Sequence, residues 1–580
     1  MAEAVGTALA VVGVLGQVFD GCVKAYSYFS RAASFDADSQ RLVCKVRIEE
    51  TRLVVWGREW GVAEGRLEKH LSQVDIGGGG GGVGKLVDGG GSGGSGGLLR
   101  NMALEILNNL HATITDVQKL KGRYGLVDGD EKDGGKRMEP SARRSSSDVR
   151  NVGDKMKGLT IRARWVVAGE LVIIQSFYKT ARLRFTDKDK FDSLLADLKH
   201  FNDGLEQLFP ASRIPGVQRT WVFEMLHAAK DVEQLSVLEK ASDETYPKLN
   251  ASASLKKLRV NLDSTPQQKF RPTYALKVQR HALKLSDTDT KRSEAFHDPK
   301  GNVIIEWVDY DKEDLDGRVV HMRRLDDLAR IMHLAVDRHP DLHTIDCLGY
   351  TDDTAMSRYG LVYRAPEPSY STLHKLISTN EFKTPDLNDR IRLAHTLSVA
   401  LLSLHSLDWL HKSLCSNNIL FFPSPFSASA TRATASAALV PDISNPYLVG
   451  FDASRPELDT EMSVAPKNPS ILDLHRHPKS LSGPSRRPYC KSYDLYSLGL
   501  VLLEIGDWKV LQTYYRPHYS AERWRDKIIL PQLLPRLGAK VGRLYRDLVE
   551  KCLTAKDDIS SEDAAQLMEE VVATLEKINV

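Results

Sequence analysis

The chain has 580 residues, with 79 Lys and Arg against 76 Asp and Glu and a formal net charge of +3 at pH 7. That length exceeds one hydrophobic core and predicts roughly two to four domains, while the small net charge gives no bulk argument for nucleic acid as a partner. Its cysteines, Cys22, Cys44, Cys347, Cys415, Cys490 and Cys552, stand in no C-x-x-C pair, so neither a zinc site nor a disulfide framework is implied and reduced thiols in the cytosol fit best.

Residues 4–29 read as a first helix. Ala4 to Phe19 carries no charge and includes Gly6, Gly13 and Gly16, residues more frequent in membrane helices than in soluble ones. Ala4 with Ala8, and Gly6 with Ala10, have the spacing that lets helices approach closely. Glu3 stands where a secretory signal would carry Lys or Arg. A stretch of that length spans about 24 Å along a helix, short of a hydrocarbon core of about 30 Å. A buried bundle helix and a conditionally inserting one both remain open, the second with Leu9, Val12, Leu15 and Phe19 as the inserting side chains.

A second helix follows Asp36 or Asp38, with Leu42, Val43, Val46, Leu53 and Trp56 at helical spacing. Residues 77–97 are a glycine run that reads as a flexible insert. Residues 98–120 form a helix striped by Leu99, Met102, Ile106, Leu110 and Ile114. Residues 128–154, charged and rich in Gly and Ser, read as a second, disordered insert, with Ser145 to Ser147 a solvated linker. Residues 165–208 read as helical, with Thr186 or Asp187 capping a helix lined by Leu194, Leu195, Leu198, Phe201 and Leu205. Residues 1–210 therefore predict an all-α helical bundle.

Residues 211–299 read as a helical connector and linker, with one or two helices around Trp221 to Glu239. The pattern then changes. Val303 to Val308 and Gly360 to Tyr363 predict strands, Leu325 to Leu334 a helix, and Leu387 to Leu410 a long helix. Residues 300–580 predict an α+β domain.

The stretch His411-Lys412-Ser413-Leu414-Cys415-Ser416-Asn417-Asn418-Ile419-Leu420 resembles a protein-kinase catalytic loop, H-R-D-L-K-x-x-N-I-L. Other landmarks follow in kinase order: the strands at Cys347 and Gly360, the long helix, Tyr447 to Asp452 where the family has a strand ending in D-F-G, and Ser492 to Gly499, similar to D-V-W-S-x-G. The resemblance implies structural roles for His411, Asp494, Gly499 and Glu504. It leaves Asn418 and Asp452 as the only candidates to hold magnesium and ATP.

The departures fall on the chemistry. The position of the proton-accepting Asp is Ser413, whose hydroxyl stays protonated at neutral pH, and that of the Lys two residues on is Cys415. No G-x-G-x-x-G precedes Val303, Glu306 stands where the strand should end in Lys, and D-F-G reads Gly450-Phe451-Asp452. Phosphoryl transfer depends on those charged groups, so no catalytic residue is assigned.

Residues 1–210 resemble the fungal HeLo domain of the prion-inhibition-and-propagation family. The resemblance rests on Glu3-Ala4-Val5-Gly6 with its apolar run, on Leu53 to Gly57, and on Phe191 with Leu198 to Leu205. It implies fungal cell death or heterokaryon incompatibility, with a first helix able to leave the bundle for a membrane. The combined expectation is a non-catalytic signalling protein in which a pseudokinase controls a HeLo-like domain. Its partners would be further copies of the helical domain, membrane lipids and an upstream signalling protein. It would be cytoplasmic, relocating to the membrane on activation. An atypical Ser/Thr kinase binding ATP, and a pseudokinase scaffold without a membrane role, are the alternatives.

Overall fold

The fold starts from amphipathic helices whose apolar stripes cannot stay in water. A computed structural model describes residues 15–27, 37–62, 95–124, 126–128, 183–185, 188–264, 271–285, 291–379, 382–423, 442–451, 455–456, 474–481, 488–557 and 559–578. Two units result, one formed by residues 1–228 and 240–243, the other by 229–239 and 244–580. Leu9, Val12, Asp452, the glycine run up to residue 94 and residues 129–154 lie outside the described residues.

In the first unit, helix α1 covers residues 15–27, α2 is Ala37–Trp60, α3 Ser95–Thr115, α4 Val117–Gly122, α5 Lys188–Glu206 and α6 Ile214–Ala228. The stretch 98–120 is thus two helices. Asp116 breaks it because its extended backbone lets the carboxylate cap α4 by accepting from Lys119 N. The strand pair β1 (Leu126–Asp128) and β2 (Leu183–Phe185) runs antiparallel, so the helical reading of 165–208 is corrected at Leu183–Phe185. Helix α2 packs on α5 and α6, and α3 on α5, burying Leu53, Trp56, Leu107, Leu110, Phe191, Leu194, Leu198 and Leu205.

Helix α7 is Val232–Ser242. The stretch expected as linker is instead helix α8, Pro247–Ser264. Pro247 suits a first helical position, and Leu249, Ala253 and Leu255 supply its buried face. Residues 211–299 also hold two strands, β3 (Leu283–Leu285) and β4 (Arg292–His297). They belong to a five-stranded antiparallel sheet of order β3-β4-β5-β7-β6, with β5 Gly301–Asp309, β6 Cys347–Asp353 and β7 Arg358–Arg364.

Alternation along β5 sorts the two faces of this sheet. Val303, Ile305 and Trp307 join Leu283, Ala295 and Val362 in an apolar cluster, which leaves Ile304 and Glu306 on the opposite face. Helix α9, Leu315–Arg338, is capped by Asp314 and packs on β6 and on α8. It extends well beyond the expected 325–334.

The rest of the unit is mainly helical. The two-residue strand β8 (Ser371–Thr372) and the short helix α10 (Leu373–Ser378) lead to α11, Leu387–Ser406, which packs on α15, Ser561–Ile578. Strand β9 (Trp409–Leu410) precedes the 411–418 loop, and β10 (Ile419–Phe421) pairs with β8 and with β11, Tyr447–Leu448. Further on, β12 (Arg455–Pro456) pairs with β9. Helix α12, Lys491–Asp507, is buried along nearly its whole length and packs on α13 (Leu534–Val541) and α14 (Arg543–Leu553).

Candidate functional site

The loop 411–418 is held from below by one carboxylate. Asp494, in the first turn of α12, is 0% exposed. Its Oδ2 accepts from His411 N at 2.8 Å and from His405 Nε2 at 3.1 Å; its Oδ1 accepts from Lys412 N at 2.8 Å and the Tyr489 hydroxyl at 2.9 Å. Burial would raise this carboxyl, but the His405 bond and charge, His411 and the Lys412 N–H outweigh it and hold it below the usual range. Lys412 is left-handed at φ 68°, a strained conformation that the paired N–H groups over-determine.

His411 packs its ring 4.8 Å from Phe451 and accepts from Ser413 N. Ser413 contributes its carbonyl, which accepts from Asn418 Nδ2 at 2.7 Å. Cys415 is buried, which pushes its thiol up, and its carbonyl accepts from Asn418 N at 3.0 Å. Glu504 accepts from His475 Nε2 at 3.0 Å and Leu511 N at 2.8 Å. Burial raises it, yet the His475 charge and these bonds bring it below its ordinary value. Gly499 lies against α14, where a Cβ would meet Cys552 Cβ at 2.9 Å.

Above the loop lies an ion pair. Arg292 on β4 and Glu306 on β5 are direct cross-strand partners. The guanidinium donates to Glu306 Oε1 at 2.6 and 3.1 Å, to Asn418 Oδ1 at 3.0 Å and to Asn417 O at 3.2 Å. Glu306, 3% exposed, also accepts from Gly450 N at 2.9 Å and the Tyr363 hydroxyl at 3.0 Å. Burial alone would raise its carboxyl, but Arg292, Gly450 and Tyr363 together lower it. Gly450 sits at φ 85°, and a Cβ there would fall 2.3 Å from Asn418 Nδ2, so only glycine suits the position.

The kinase resemblance implies magnesium and ATP, and these side chains do not fit them. Both ends of the Asn418 amide are engaged, one by Arg292 and the other by Ser413 O. On that resemblance, Glu306 would set a negative charge where a phosphate needs a positive one.

In the first unit, Leu15 and Phe19 are buried. Phe19 lies with its ring centroid 6.3 Å from that of Trp56, over Gly57, where a Cβ would come 2.1 Å from Phe19 Cζ. Cys22 donates to Leu107 O at 3.3 Å. Among the described residues, no helix is long and apolar enough to cross a membrane.

Sequence reasoning read Glu306 as a lost lysine and missed its partner Arg292, along with Tyr363, His405, Tyr489 and His475. The signal available was the charged pattern of Arg292-Ser293-Glu294, which becomes a strand only once its pairing with β5 is known.

No curated protein matches the chain. Residues 320–577 match the family model of a domain of unknown function, DUF7580, which covers α9, β6, β7, the 411–418 loop and the helices around it. Residues 6–238 match the family model HeLo, described as prion-inhibition and propagation. The helical N-terminal part of this chain is accordingly a HeLo domain, joined to a C-terminal DUF7580 domain of α+β class.

Proposed function

We propose that this chain is a non-catalytic signalling protein of the fungal cell-death or heterokaryon-incompatibility type, in which a kinase-like but catalytically silent second unit controls a HeLo domain. The HeLo match supports that role at family level. The observation that carries the silent-kinase reading is a contrast within one site. Asp494 keeps every bond needed to shape the loop, while Ser413 and Glu306 stand where transfer requires a proton acceptor and a phosphate-binding cation.

The proposed output is membrane engagement by the first helix. The docked state keeps Phe19 in the notch over Gly57; an upstream partner acting on the second unit shifts the balance towards release. Released helices self-associate and meet lipid, which moves the protein from cytoplasm to membrane.

Dye leakage from anionic liposomes tests this with the full chain. Gly57→Leu fills the notch and should raise leakage, and adding Leu9→Glu should suppress it, because a charge in the apolar run opposes insertion. No leakage from any oligomeric form would overturn the membrane output. A phosphate-transfer assay should stay blank; transfer that disappears in Asp452→Ala would overturn the non-catalytic reading.

A further inference from the structure

We infer that the Arg292–Glu306 pair is a built-in substitute for a metal ion and a phosphate, so that the second unit closes upon its own side chains and takes no magnesium-nucleotide. The inference rests on the kinase-like reading above. In protein kinases the catalytic-loop Asn holds a magnesium ion and the strand Lys holds phosphate. Here Asn418 Oδ1 meets a cation, the Arg292 guanidinium, at 3.0 Å. The adjacent anion is the Glu306 carboxylate, 2.6 Å from the same nitrogen. The order Asn–cation–anion is retained, and both charges now come from the chain.

Three features favour this over a simple structural ion pair. The pair is cross-strand on the sheet, yet its bonds to the 411–418 loop and to Gly450 leave the sheet, while the one to Tyr363 stays on it. Arg292 reaches Asn417 and Asn418, and Glu306 reaches Gly450 N. Gly450 can donate there only because it lacks a Cβ. A second sheet residue, Tyr363, satisfies the far carboxylate oxygen, so the anion is as fully coordinated as a bound ligand. A triphosphate entering this space would meet the buried Glu306 charge and would have to strip Arg292 from it, leaving a carboxylate that burial strongly penalises.

The bonds also tie strands β4, β5 and β7 to the 413–418 loop and to Gly450. In a nucleotide-binding relative that bridging would depend on ligand. Here the chain supplies it from its own side chains, so a signal that breaks the Arg292–Glu306 pair would loosen the sheet from the loop.

Thermal melts of the full chain with about 5 mM Mg-ATP test it. The wild type should show no shift. A rise of about 2 °C or more would overturn the inference while leaving a kinase-like fold standing. The double variant Arg292→Ala/Glu306→Lys removes the internal cation and restores a lysine to the strand. It should gain a Mg-ATP-dependent rise of about that size. A cooperatively folded double variant that gains nothing would overturn both the inference and the kinase-like reading.

Should the double variant not fold, amide exchange in Arg292→Ala decides. Exchange at Gly450 and Asn418 should quicken by about ten-fold or more relative to α12. Unchanged exchange at those two amides would overturn the inference.

Discussion

Two arginines, one in each unit, differ in what faces them: Arg52 is buried and Arg292 partly so. Arg52 on α2, its side chain 2% exposed, meets three carboxylates: Glu49 at 3.1 Å, Asp203 at 2.6 Å and Glu206 at 2.9 Å. Asn202 also donates to Glu49, and the Trp221 ring lies 5.9 Å from the guanidinium. All these partners sit on helices, so Arg52 can only brace one helix against others. Arg292 meets one carboxylate and two oxygens of the single 3-10 turn Ser416–Asn418 that ends the 411–418 loop. The same side chain braces helix to helix in one unit and ties sheet to a connecting turn in the other.

Removing each arginine is the sharpest way to break that comparison. Arg52→Ala leaves Glu49 and Glu206 buried without their cation and should cost about 3–5 kcal/mol, read as urea unfolding through Trp56, Trp60 and Trp221. A loss below about 1 kcal/mol would remove the brace from the comparison. Arg292→Ala should cost less, about 2–3 kcal/mol, because Gly450 and Tyr363 still serve Glu306. Adding Glu306→Gln should cost less than the two single changes summed, since the partners couple; strict additivity would mean they do not act as a pair.

Acid separates the units further. Burial holds the His477 imidazole down to about 4, against the upward pull of Asp557. Its ring stacks on Tyr493 at 4.4 Å. The folded value lies below the unfolded one, so the stability it lends is full above about pH 6.5 and is lost as pH falls towards 4. Asp327 acts oppositely, because burial raises it to about 6; its contribution is full below about pH 3.8 and is lost as pH rises through 6. Melts at about pH 7 and pH 5 should show His477→Phe flattening the acid loss of the second unit and Asp327→Asn steepening it, each by about 1–2 kcal/mol. In the first unit, burial raises the Asp203 carboxyl but Lys199 and Arg52 lower it further, so its loss begins only near pH 4. The smallest effect belongs to the surface pair Lys284–Asp298, 2.8 Å apart with both side chains about two-thirds exposed. Lys284→Ala should cost under about 1 kcal/mol by thermal melt, which sets the floor for the buried pairs.

Much of this was legible from period and motif. The stripes at Leu194 to Leu205 and Ile391 to Leu404 mark helices that bury those faces. The order of landmarks around His411 and Asp494 brought together residues that touch. Short or charged elements were harder to read. Leu183–Phe185 is three residues long and pairs with a strand far away in sequence, and α8 mixes its leucines with Lys, Ser and Ala, several of which are buried only because tertiary packing decides it. Arg292 and Glu306 lie 14 positions apart. Only the strand register makes them neighbours, and a sequence read for lost motifs sees Glu306 as a defect rather than half of a pair.

The thiols carry a last consequence. Cys22 sits buried on the first helix and Cys415 buried in the 411–418 loop. A thiol-reactive reagent must wait for local opening before it can attack either one. Labelling kinetics at these two sulfurs therefore provide separate clocks, one timing departure of the N-terminal segment and the other timing breathing around Asn418, within a single native molecule.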